Sequence, residues 1–212
     1  MLDAHFGYLA RHCVCVVPGE PLPGPRLNVC LTFDDAYSDF HSAVFPLLQK
    51  HNLRAVLAVP PALIGEKAEW PDVARARAGG ENGRSKSGCN RHCTWAELEA
   101  LASSGRVVIA AHGLSHTRLD RMGADLDAEI SFPREELSGR LGQPVDSFVF
   151  PFGRFSPAAL RKVREHYRHA FRIGGAMNRG WSQSLLYRVG GDRLGSPGGL
   201  FSTGRLAFFR AR

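Results

Sequence analysis

Short apolar runs alternate with helical patterns along most of this chain, and that alternation limits the folds available to it. Strands separated by helices pair in parallel, because a crossover that holds a helix returns the chain to the same end of the sheet. We therefore expect an α/β fold with a parallel sheet. The six runs that predict buried strands are residues 28–33, 54–59, 106–111, 145–150, 169–173 and 185–189.

Four helices are expected between these strands, over residues 38–52, 94–104, 124–141 and from residue 156 onward. The second has the clearest start signal, because Thr94 and Glu97 have the spacing of a capping box. Ser38 and Asp39 can cap the first helix. Pro133 should kink or break the third, since proline lacks the N–H that a helix interior requires.

The bulk composition is that of an ordinary globular chain. The 212 residues are 44% hydrophobic and 22% charged, which predicts one domain over residues 1–212. Residues 78–90 are rich in glycine, serine and charged residues without periodicity, and they predict a mobile surface loop. No apolar run approaches the length of a membrane span, and the first residues lack a signal-peptide core. We expect no transmembrane segment and a cytoplasmic location, with envelope association as the alternative.

The net charge limits the expected classes of binding partner, and the cysteine content limits the expected disulfides and metal sites. The net charge of +7 favours an anionic partner such as a phosphate- or uronate-bearing glycan, although a solvated basic surface also explains it. No nucleic-acid-binding module is recognisable, so nucleic acid is not an expected partner. Five cysteines cannot all form pairs within the chain, and free thiols are the expectation. A structural zinc site from Cys13, Cys15, Cys89 and Cys93 is the alternative, with an unusual ligand spacing.

Polar signatures follow three of the predicted strands. Asp34 and Asp35 follow the first run, His112 follows the third, and a Pro-Phe-Gly turn that begins at Pro151 follows the fourth. The carboxyl ends of parallel strands meet at one edge, where the active sites of β/α barrels gather. We expect a functional site there. The alternative is a solvated acidic turn with unrelated surface histidines.

These residue types suit a hydrolytic metal site. Asp34 and Asp35 are adjacent and should point in opposite directions, so one can bind a cation while the other handles a proton. His112 and His116 have i, i+4 spacing, which would place both rings on one side of a helical turn. Two histidines and a carboxylate, which Asp35 would supply, leave positions on a divalent metal open for water and substrate.

With these motifs the chain resembles the polysaccharide deacetylases of the NodB-homology type, from about residue 27 to residue 192. The family's T-F-D-D-G motif appears at residues 32–36 as T-F-D-D-A. Its H-S/T-x-x-H motif appears at residues 112–116 as H-G-L-S-H, and its third region appears at residues 148–154 as F-V-F-P-F-G-R.

The resemblance implies a distorted (β/α) barrel of about seven strands. It also implies metal-dependent removal of an N-acyl group, with N-acetyl expected, from an amino sugar in bacterial cell-envelope or polysaccharide biosynthesis. In that reaction the metal activates water and Asp34 acts as the general base. The implied ligands of one divalent metal, for which we expect Zn²⁺, are Asp35, His112 and His116. The backbone N–H of Phe152 would stabilise the oxyanion.

Three further residues are candidates for contact with the carbohydrate substrate. Pro151 belongs to the same turn as Phe152, and Arg154 follows that turn and could meet an anionic group. Trp181 could stack on a sugar ring, although a tryptophan is more often part of a core. The sequence does not indicate an oligomeric state.

Three departures from the family pattern keep other functions open. Ala36 replaces a glycine, Val149 stands where some members carry an arginine that orients the base, and no histidine follows His169. The last departure removes the family's late L-x-x-H motif, whose histidine is the general acid. The alternatives are therefore a catalytically impaired glycan-binding relative, or an amidohydrolase that acts on a small non-sugar amide.

Overall fold

The computed structural model of the chain describes residues 1–65, 91–191, 196, 198–199 and 206–208. Eight parallel-paired strands are present in this part: β1 (Val14–Cys15), β2 (Asn28–Val29), β3 (Leu31–Phe33), β4 (Ala55–Val59), β5 (Val107–Ala111), β6 (Ser147–Val149), β7 (His169–Ile173) and β8 (Leu186–Arg188). The last six form one sheet in the order β3-β4-β5-β6-β7-β8, and β1 pairs with β2. The predicted strand regions and their parallel pairing are confirmed, except that the first region, residues 28–33, is divided at Cys30 into β2 and β3, which belong to different sheets.

Within the described ranges, the α-helices that cover or flank the sheet are α1 (Leu2–His12), α2 (Phe45–Lys50), α3 (Trp95–Ser103), α4 (Phe132–Leu141) and α5 (Pro157–His166). Two π-helical segments, Phe40–Val44 and Asp127–Ser131, lead directly into α2 and α4. Pro46 and Pro133 are the second residues of those two helices. Since proline cannot donate the next helical hydrogen bond, the ladder changes register before it. The break expected at Pro133 takes this form.

The two faces of the sheet bury different sets of side chains. All five residues of β4 are fully buried, which is typical of a parallel strand covered on both faces. One face packs against the helices and forms a large apolar cluster with them. Helix residues in this cluster include Leu48, Leu98, Leu137 and Val163. The opposite face forms a smaller cluster from Val56, Ala58, Ala110, Val149, Phe171 and Leu186.

The sheet is curled, as a side-chain contact between its two edge strands shows. The guanidinium of Arg188, at the end of β8, donates to both carboxylate oxygens of Asp34, directly after β3, at 2.6 and 2.8 Å. Arg188 also donates to the Thr32 hydroxyl of β3 at 3.2 Å. In a flat sheet the outer strands of six would lie about 24 Å apart. The contact therefore requires the half-barrel curl, and the predicted barrel-type α/β fold is confirmed.

Some local expectations were wrong or incomplete. Asp39 already has helical backbone angles and its side chain makes no cap hydrogen bond, so Asp39 does not cap the first helix as expected. Helix α1 was not anticipated, although Phe6 and Leu9 bury one of its sides. Within the described part of the chain, every helix is too short or too polar to cross a lipid bilayer. The expected loop at residues 78–90 lies outside the described residues.

Helix α3 begins with the capping box that the sequence predicts. The Thr94 hydroxyl accepts the Glu97 N–H at 3.2 Å, and the Glu97 carboxylate accepts the Thr94 N–H at 2.8 Å. Arg91 adds two hydrogen bonds to the same carboxylate, each of 2.7 Å. Thr94→Ala should therefore lower the free energy of unfolding by about 0.5–2 kcal/mol in urea titrations. Ser103→Ala, at the exposed end of the same helix, is the matched control.

The Glu97 carboxylate should also give this region a pH-dependent stability. Hydrogen bonds from Arg91 lower the pKa of Glu97 from 4.5 to about 2. A carboxyl with a depressed pKa in the folded state stabilises the protein above its unfolded pKa and loses that contribution as the pH falls. The difference in free energy of unfolding between wild type and Glu97→Gln should be full at pH 7 and shrink between pH 4.5 and about 2. A difference that is constant over this range would contradict the assignment.

Candidate functional site

Three strands deliver polar residues to one edge of the sheet. Asp34 and Asp35 follow β3, His112 follows β5, and Pro151 begins a 3-10 turn that follows β6. Because all three strands are parallel members of one curled sheet, their carboxyl ends converge. The structure brings together the aspartates and histidines that the sequence singles out.

Asp35, His112 and His116 form a group with the geometry of a metal site. The Asp35 Oδ1 atom lies 3.6 Å from His112 Nε2 and 3.3 Å from His116 Nε2. All three ligand atoms lie within 4.8 Å of one another. Ligands about 2.0–2.2 Å from a tetrahedral zinc are themselves about 3.4 Å apart. The group therefore fits one divalent cation with little rearrangement.

The hydrogen bonds around this group favour ligation. The His112 Nδ1 atom lies 2.7 Å from the Val149 carbonyl oxygen, to which it can only donate. This contact leaves the Nε2 lone pair of His112 facing Asp35, the usual arrangement of a metal-binding histidine. Asp35 Oδ1 is buried and accepts no hydrogen bond from the described residues. A buried carboxylate oxygen without a donor is costly, and a cation would satisfy it.

The pKa shifts of Asp35 and His116 both favour the uncharged form of the side chain. Burial raises the pKa of Asp35 above its ordinary value, and the Asp34 carboxylate raises it further. Burial, reinforced by His112, lowers the pKa of His116 to about 3. The group therefore resists the addition of protons at the histidine and the accumulation of negative charge at the aspartate. A bound cation would compensate the buried negative charge of Asp35. It would also use the lone pair of the His116 imidazole, which is neutral because its pKa is low.

Asp34 has a different environment from its neighbour. Both its carboxylate oxygens accept hydrogen bonds from Arg188, and its Oδ2 atom lies 4.0 Å from His112 Nε2. Burial acts to raise the pKa of Asp34, but the Arg188 hydrogen bonds and nearby positive charges outweigh it, so the pKa falls below its ordinary value. About 31% of the Asp34 side chain remains exposed, compared with 11% of Arg188. Asp34 is thus an ionised, oriented carboxylate that solvent can reach.

Arg188 is a site residue that the sequence motifs did not indicate. The expected place for a base-orienting arginine holds Val149, whose side chain packs in the barrel interior and whose carbonyl contacts His112. Arg188 reaches the same carboxylate from the opposite edge of the sheet. A signal was available, because a lone arginine inside an otherwise apolar predicted strand needs a charged partner.

The backbone of the site is unusual. Five described non-glycine residues have a positive φ, and four of them belong to the site: Asp35, Ala36, His116 and Phe152, at 72°, 52°, 59° and 58°. Such conformations cost about 1–3 kcal/mol each and persist only where the surroundings enforce them. Ala36 shows that this turn tolerates the Cβ that the family's glycine lacks. Its fully buried side chain and the hydrogen bond from the Cys93 N–H to its carbonyl hold the turn.

The histidine motif is not the helical turn that its spacing suggested. Gly113 and His116 both have left-handed backbone angles, and the two histidine rings lie 4.8 Å apart with their planes tilted by 58°. His112 is fixed at the end of β5, and an irregular loop returns His116 beside it. The rings meet as expected, through a different backbone path.

The four candidates for oxyanion or substrate contact, Phe152, Pro151, Arg154 and Trp181, occupy different places. The Phe152 ring lies 4.5 Å from the His116 ring, and Pro151 is buried beneath the turn. Arg154 is exposed at the outer side of the turn. Trp181 is elsewhere: its ring contacts His169, the first residue of β7, and its indole N–H donates to the Glu20 carbonyl. It therefore lies towards the amino end of the sheet, where it packs on the barrel interior.

The cysteines described by the structure form no ligand group. Cys13, Cys15, Cys30 and Cys93 are free thiols, and Cys89 lies outside the described residues. The Cys93 thiol donates to the Tyr37 carbonyl, and burial raises its pKa to about 12. Among the described residues, a cluster of three potential metal ligands occurs only at Asp35, His112 and His116.

Comparisons with known proteins agree with this architecture. Residues 23–170 match the sequence profile of the family described as polysaccharide deacetylase. Over 94 residues the chain is 33% identical to the poly-β-1,6-N-acetyl-D-glucosamine N-deacetylase of Escherichia coli K12. That match covers 44% of this chain but 12% of the relative, so it concerns a small part of the longer protein.

Solved structures of low sequence identity share the fold. The deacetylase PplD of Streptococcus pyogenes, solved with acetate, is 20% identical with a TM-score of 0.71, covering 95% of this chain and 84% of its own. IcaB from Ammonifex degensii is 20% identical with a TM-score of 0.70, covering 88% and 81%. A de-N-acetylase from Aggregatibacter actinomycetemcomitans is 19% identical with a TM-score of 0.69, covering 89% and 82%. At these identities the likeness establishes the fold.

The ligand group generates a direct prediction. His112→Ala and His116→Ala should each reduce the binding of one Zn²⁺ or Co²⁺ per chain to near background, because either change removes one of three protein ligands. Elemental analysis after dialysis measures the bound metal. His12→Ala, which removes an exposed histidine of α1, is the matched control and should bind like wild type. Full metal content in both site variants, with the fold intact, would show that the ligands are elsewhere.

Proposed function

Because the chain belongs to the polysaccharide deacetylase family, we propose that it is a metal-dependent hydrolase that removes an N-acyl group from an amino sugar of a glycan. The observation that carries the proposal is the division of labour between two adjacent aspartates. Asp35 faces two histidine nitrogens with an unsatisfied oxygen, whereas Asp34 is held in its ionised form by Arg188. Amide hydrolysis needs both an activated water and a carboxylate to accept its proton.

Asp35, His112 and His116 are the residues that would hold the cation. When bound, a divalent cation supplies Lewis-acid activation of water and of the acyl carbonyl, and zinc is the metal that this ligand set favours. The protein contributes the orientation of the ligands: the Val149 carbonyl fixes the His112 ring, and burial keeps His116 neutral.

Asp34 is the proposed general base. It is next to the cation ligand Asp35 in sequence, is partly exposed to solvent, and carries a pKa below its ordinary value, so it is ionised and able to accept a proton at neutral pH. Arg188 holds both its oxygens and fixes the direction of the remaining lone pairs. The same carboxyl group, once protonated, is the proposed donor to the leaving amine, which departs poorly until it is protonated.

The Pro-Phe-Gly turn is the proposed oxyanion-binding element. Phe152 has a left-handed backbone within a 3-10 turn, and its ring lies against His116, so its peptide unit is held beside the ligand group. A backbone N–H at such a position can stabilise the charge that develops on the acyl oxygen. Pro151 and Phe152 would therefore shape the acyl pocket, and Arg154, which is exposed, is the proposed contact for an anionic group of the glycan.

The proposed substrate is an N-acetylated glycan, and the proposed setting is bacterial cell-envelope or polysaccharide biosynthesis. The E. coli relative is a deacetylase of poly-β-1,6-N-acetyl-D-glucosamine, which supports an N-acetylglucosamine-containing polymer as the first substrate to test. The net charge of +7 is compatible with a polyanionic glycan surface. Acetate release from N-acetylated oligosaccharides, compared with small non-sugar amides, tests the substrate class. Release from the small amides alone would replace the glycan by a small-amide substrate.

Substitution of the proposed base separates catalysis from metal binding. Asp34→Asn should keep its bound cation and lose about 10²–10⁴ in kcat, because the amide cannot accept the proton. Asp120→Asn, which breaks the Arg118–Asp120 ion pair, is the control and should retain activity. If Asp34→Asn loses its cation instead, the two aspartates have the opposite roles.

Arg188 should matter to turnover because it orients Asp34. Hydrogen bonds to charged groups contribute about 1.5–3 kcal/mol, which corresponds to about 10- to 100-fold in rate. Arg188→Met should lower kcat by this factor with the cation retained, and Arg188→Lys should fall between, since lysine keeps the charge without the bidentate contact. Steady-state kinetics with exposed Arg179→Met as control measures the effect. Unchanged kcat in Arg188→Met would refute the orienting role.

A further inference from the structure

Glu129 is a buried carboxylate that contacts the histidine loop without belonging to the ligand group. Only 8% of Glu129 is exposed. Its Oε2 atom accepts the backbone N–H groups of Leu114 and Ser115 at 2.9 and 3.2 Å, and its Oε1 atom accepts the Ser115 hydroxyl at 2.5 Å. All three donors lie between His112 and His116. The carboxylate therefore binds the segment that joins the two histidines.

This segment needs an external acceptor because its backbone is irregular. Gly113 has φ of 72° and His116 has φ of 59°, so the loop is not a helix whose N–H groups pair internally. Two consecutive N–H groups of such a loop require partners from elsewhere. Glu129 supplies one carboxylate oxygen that accepts both of them.

Glu129 is itself held firmly. It lies in the π-helical segment Asp127–Ser131, whose register is set by the hydrogen bond from the Phe132 N–H to the Asp127 carbonyl. The next residue, Ile130, is fully buried, and its carbonyl accepts the buried Tyr167 hydroxyl at 2.6 Å. The carboxylate is thus fixed relative to α5 and the helix-facing core, and it transmits that position to the loop.

The contact also leaves no room for a side chain at Gly113. A Cβ atom added there would lie 2.8 Å from Glu129 Oε2, and the φ of 72° disfavours any L-residue. Close approach of the carboxylate and the absence of a side chain at Gly113 are therefore parts of one arrangement.

We propose that Glu129 is a positioning residue that holds the loop between His112 and His116 so that both Nε2 atoms face Asp35 Oδ1. The inference rests on the proposed function, because it states that Glu129 raises the affinity of the proposed ligand group for its cation. Without the carboxylate the loop is free to move. Binding of a cation by both His112 and His116 must then also order the loop, which costs free energy and weakens the binding. Contacts of this kind typically contribute about 10- to 100-fold to metal affinity.

The test uses Co²⁺ as the probe, because its visible absorption reports ligand geometry and its titration gives an affinity without a substrate. Glu129→Ala should bind Co²⁺ about 10- to 100-fold more weakly than wild type and show an altered spectrum. Glu129→Gln, whose amide oxygen can still accept both backbone N–H groups, should recover most of the affinity. Glu136→Ala, which removes an ion pair with Arg140 in the following helix, is the matched control and should bind like wild type.

Activity gives a second readout that a general loss of folding would not reproduce. Added Co²⁺ at saturating concentration should restore kcat in Glu129→Ala, whereas Asp34→Asn should stay inactive at every concentration. Equal Co²⁺ affinities for wild type, Glu129→Ala and Glu129→Gln would overturn the positioning role alone. A wild-type protein that binds no Co²⁺ would overturn this role and the proposed function together.

A double-mutant cycle tests the coupling between Glu129 and Gly113. Gly113→Ala should weaken Co²⁺ binding in the wild-type background through its clash with the carboxylate. Gly113→Ala should lower Co²⁺ affinity less in the Glu129→Ala background than in the Glu129→Gln background. Only alanine at position 129 removes the group that would clash with the new Cβ atom. Additive effects in both backgrounds would overturn the proposed contact.

Discussion

The bidentate contact between Arg188 and Asp34 connects the two ends of the sheet, and the site depends on it. Arg188 ends the last strand, and Asp34 follows the first strand of the six. Six parallel strands can cover a core without closing, but their outer edges must then be satisfied by something other than a backbone ladder. Here side-chain hydrogen bonds across the seam join Thr32, Asp34 and Arg188. The curl of the sheet brings these residues together, and their contact in turn orients the proposed base.

The sheet also explains how strained backbone can be concentrated in one place. Strands β4 and β6 in the same sheet are buried along their whole length, and left-handed residues lie in the short turns that follow β3 and β6. Rigid strands hold the ends of each turn, so Asp35, Ala36 and Phe152 keep conformations that a free loop would abandon. The cost is local, while the stability comes from the apolar core that the strands share. This separation places reactive groups on short turns with little freedom to move.

Much of the fold was predictable from the sequence, because its signals are local. Apolar runs of the right length predicted every strand of the main sheet, and the capping box predicted the start of α3. The candidate ligands were also predictable, since they follow these strands directly. Strand ends in a parallel sheet share one edge whatever the details of packing. For Asp35 and His112, position along the chain was enough to place them together, whereas His116 joins them through an irregular loop.

The rest depends on contacts between residues that are distant in sequence. Arg188 and Asp34 are 154 positions apart, and only the curl of the sheet brings them together. Trp181 is of a residue type that can stack on a sugar ring. The orientation of its side chain is set instead by the distant Glu20 carbonyl and by the His169 ring. The loop from Gly113 to His116 has helical spacing without helical backbone, because the Glu129 carboxylate replaces internal hydrogen bonds. Side-chain direction and partner choice were therefore the properties that local pattern did not determine.

The central claim is that Asp35, His112 and His116 bind one catalytic cation while Asp34 stays outside its ligands. Crystals of the zinc-loaded protein, measured on both sides of the zinc absorption edge, would test this most directly. The account predicts one strong anomalous peak within about 2.0–2.2 Å of Asp35 Oδ1 and of both histidine Nε2 atoms, with Asp34 still paired to Arg188. A peak bonded to Asp34, or zinc bound only at other residues, would contradict it.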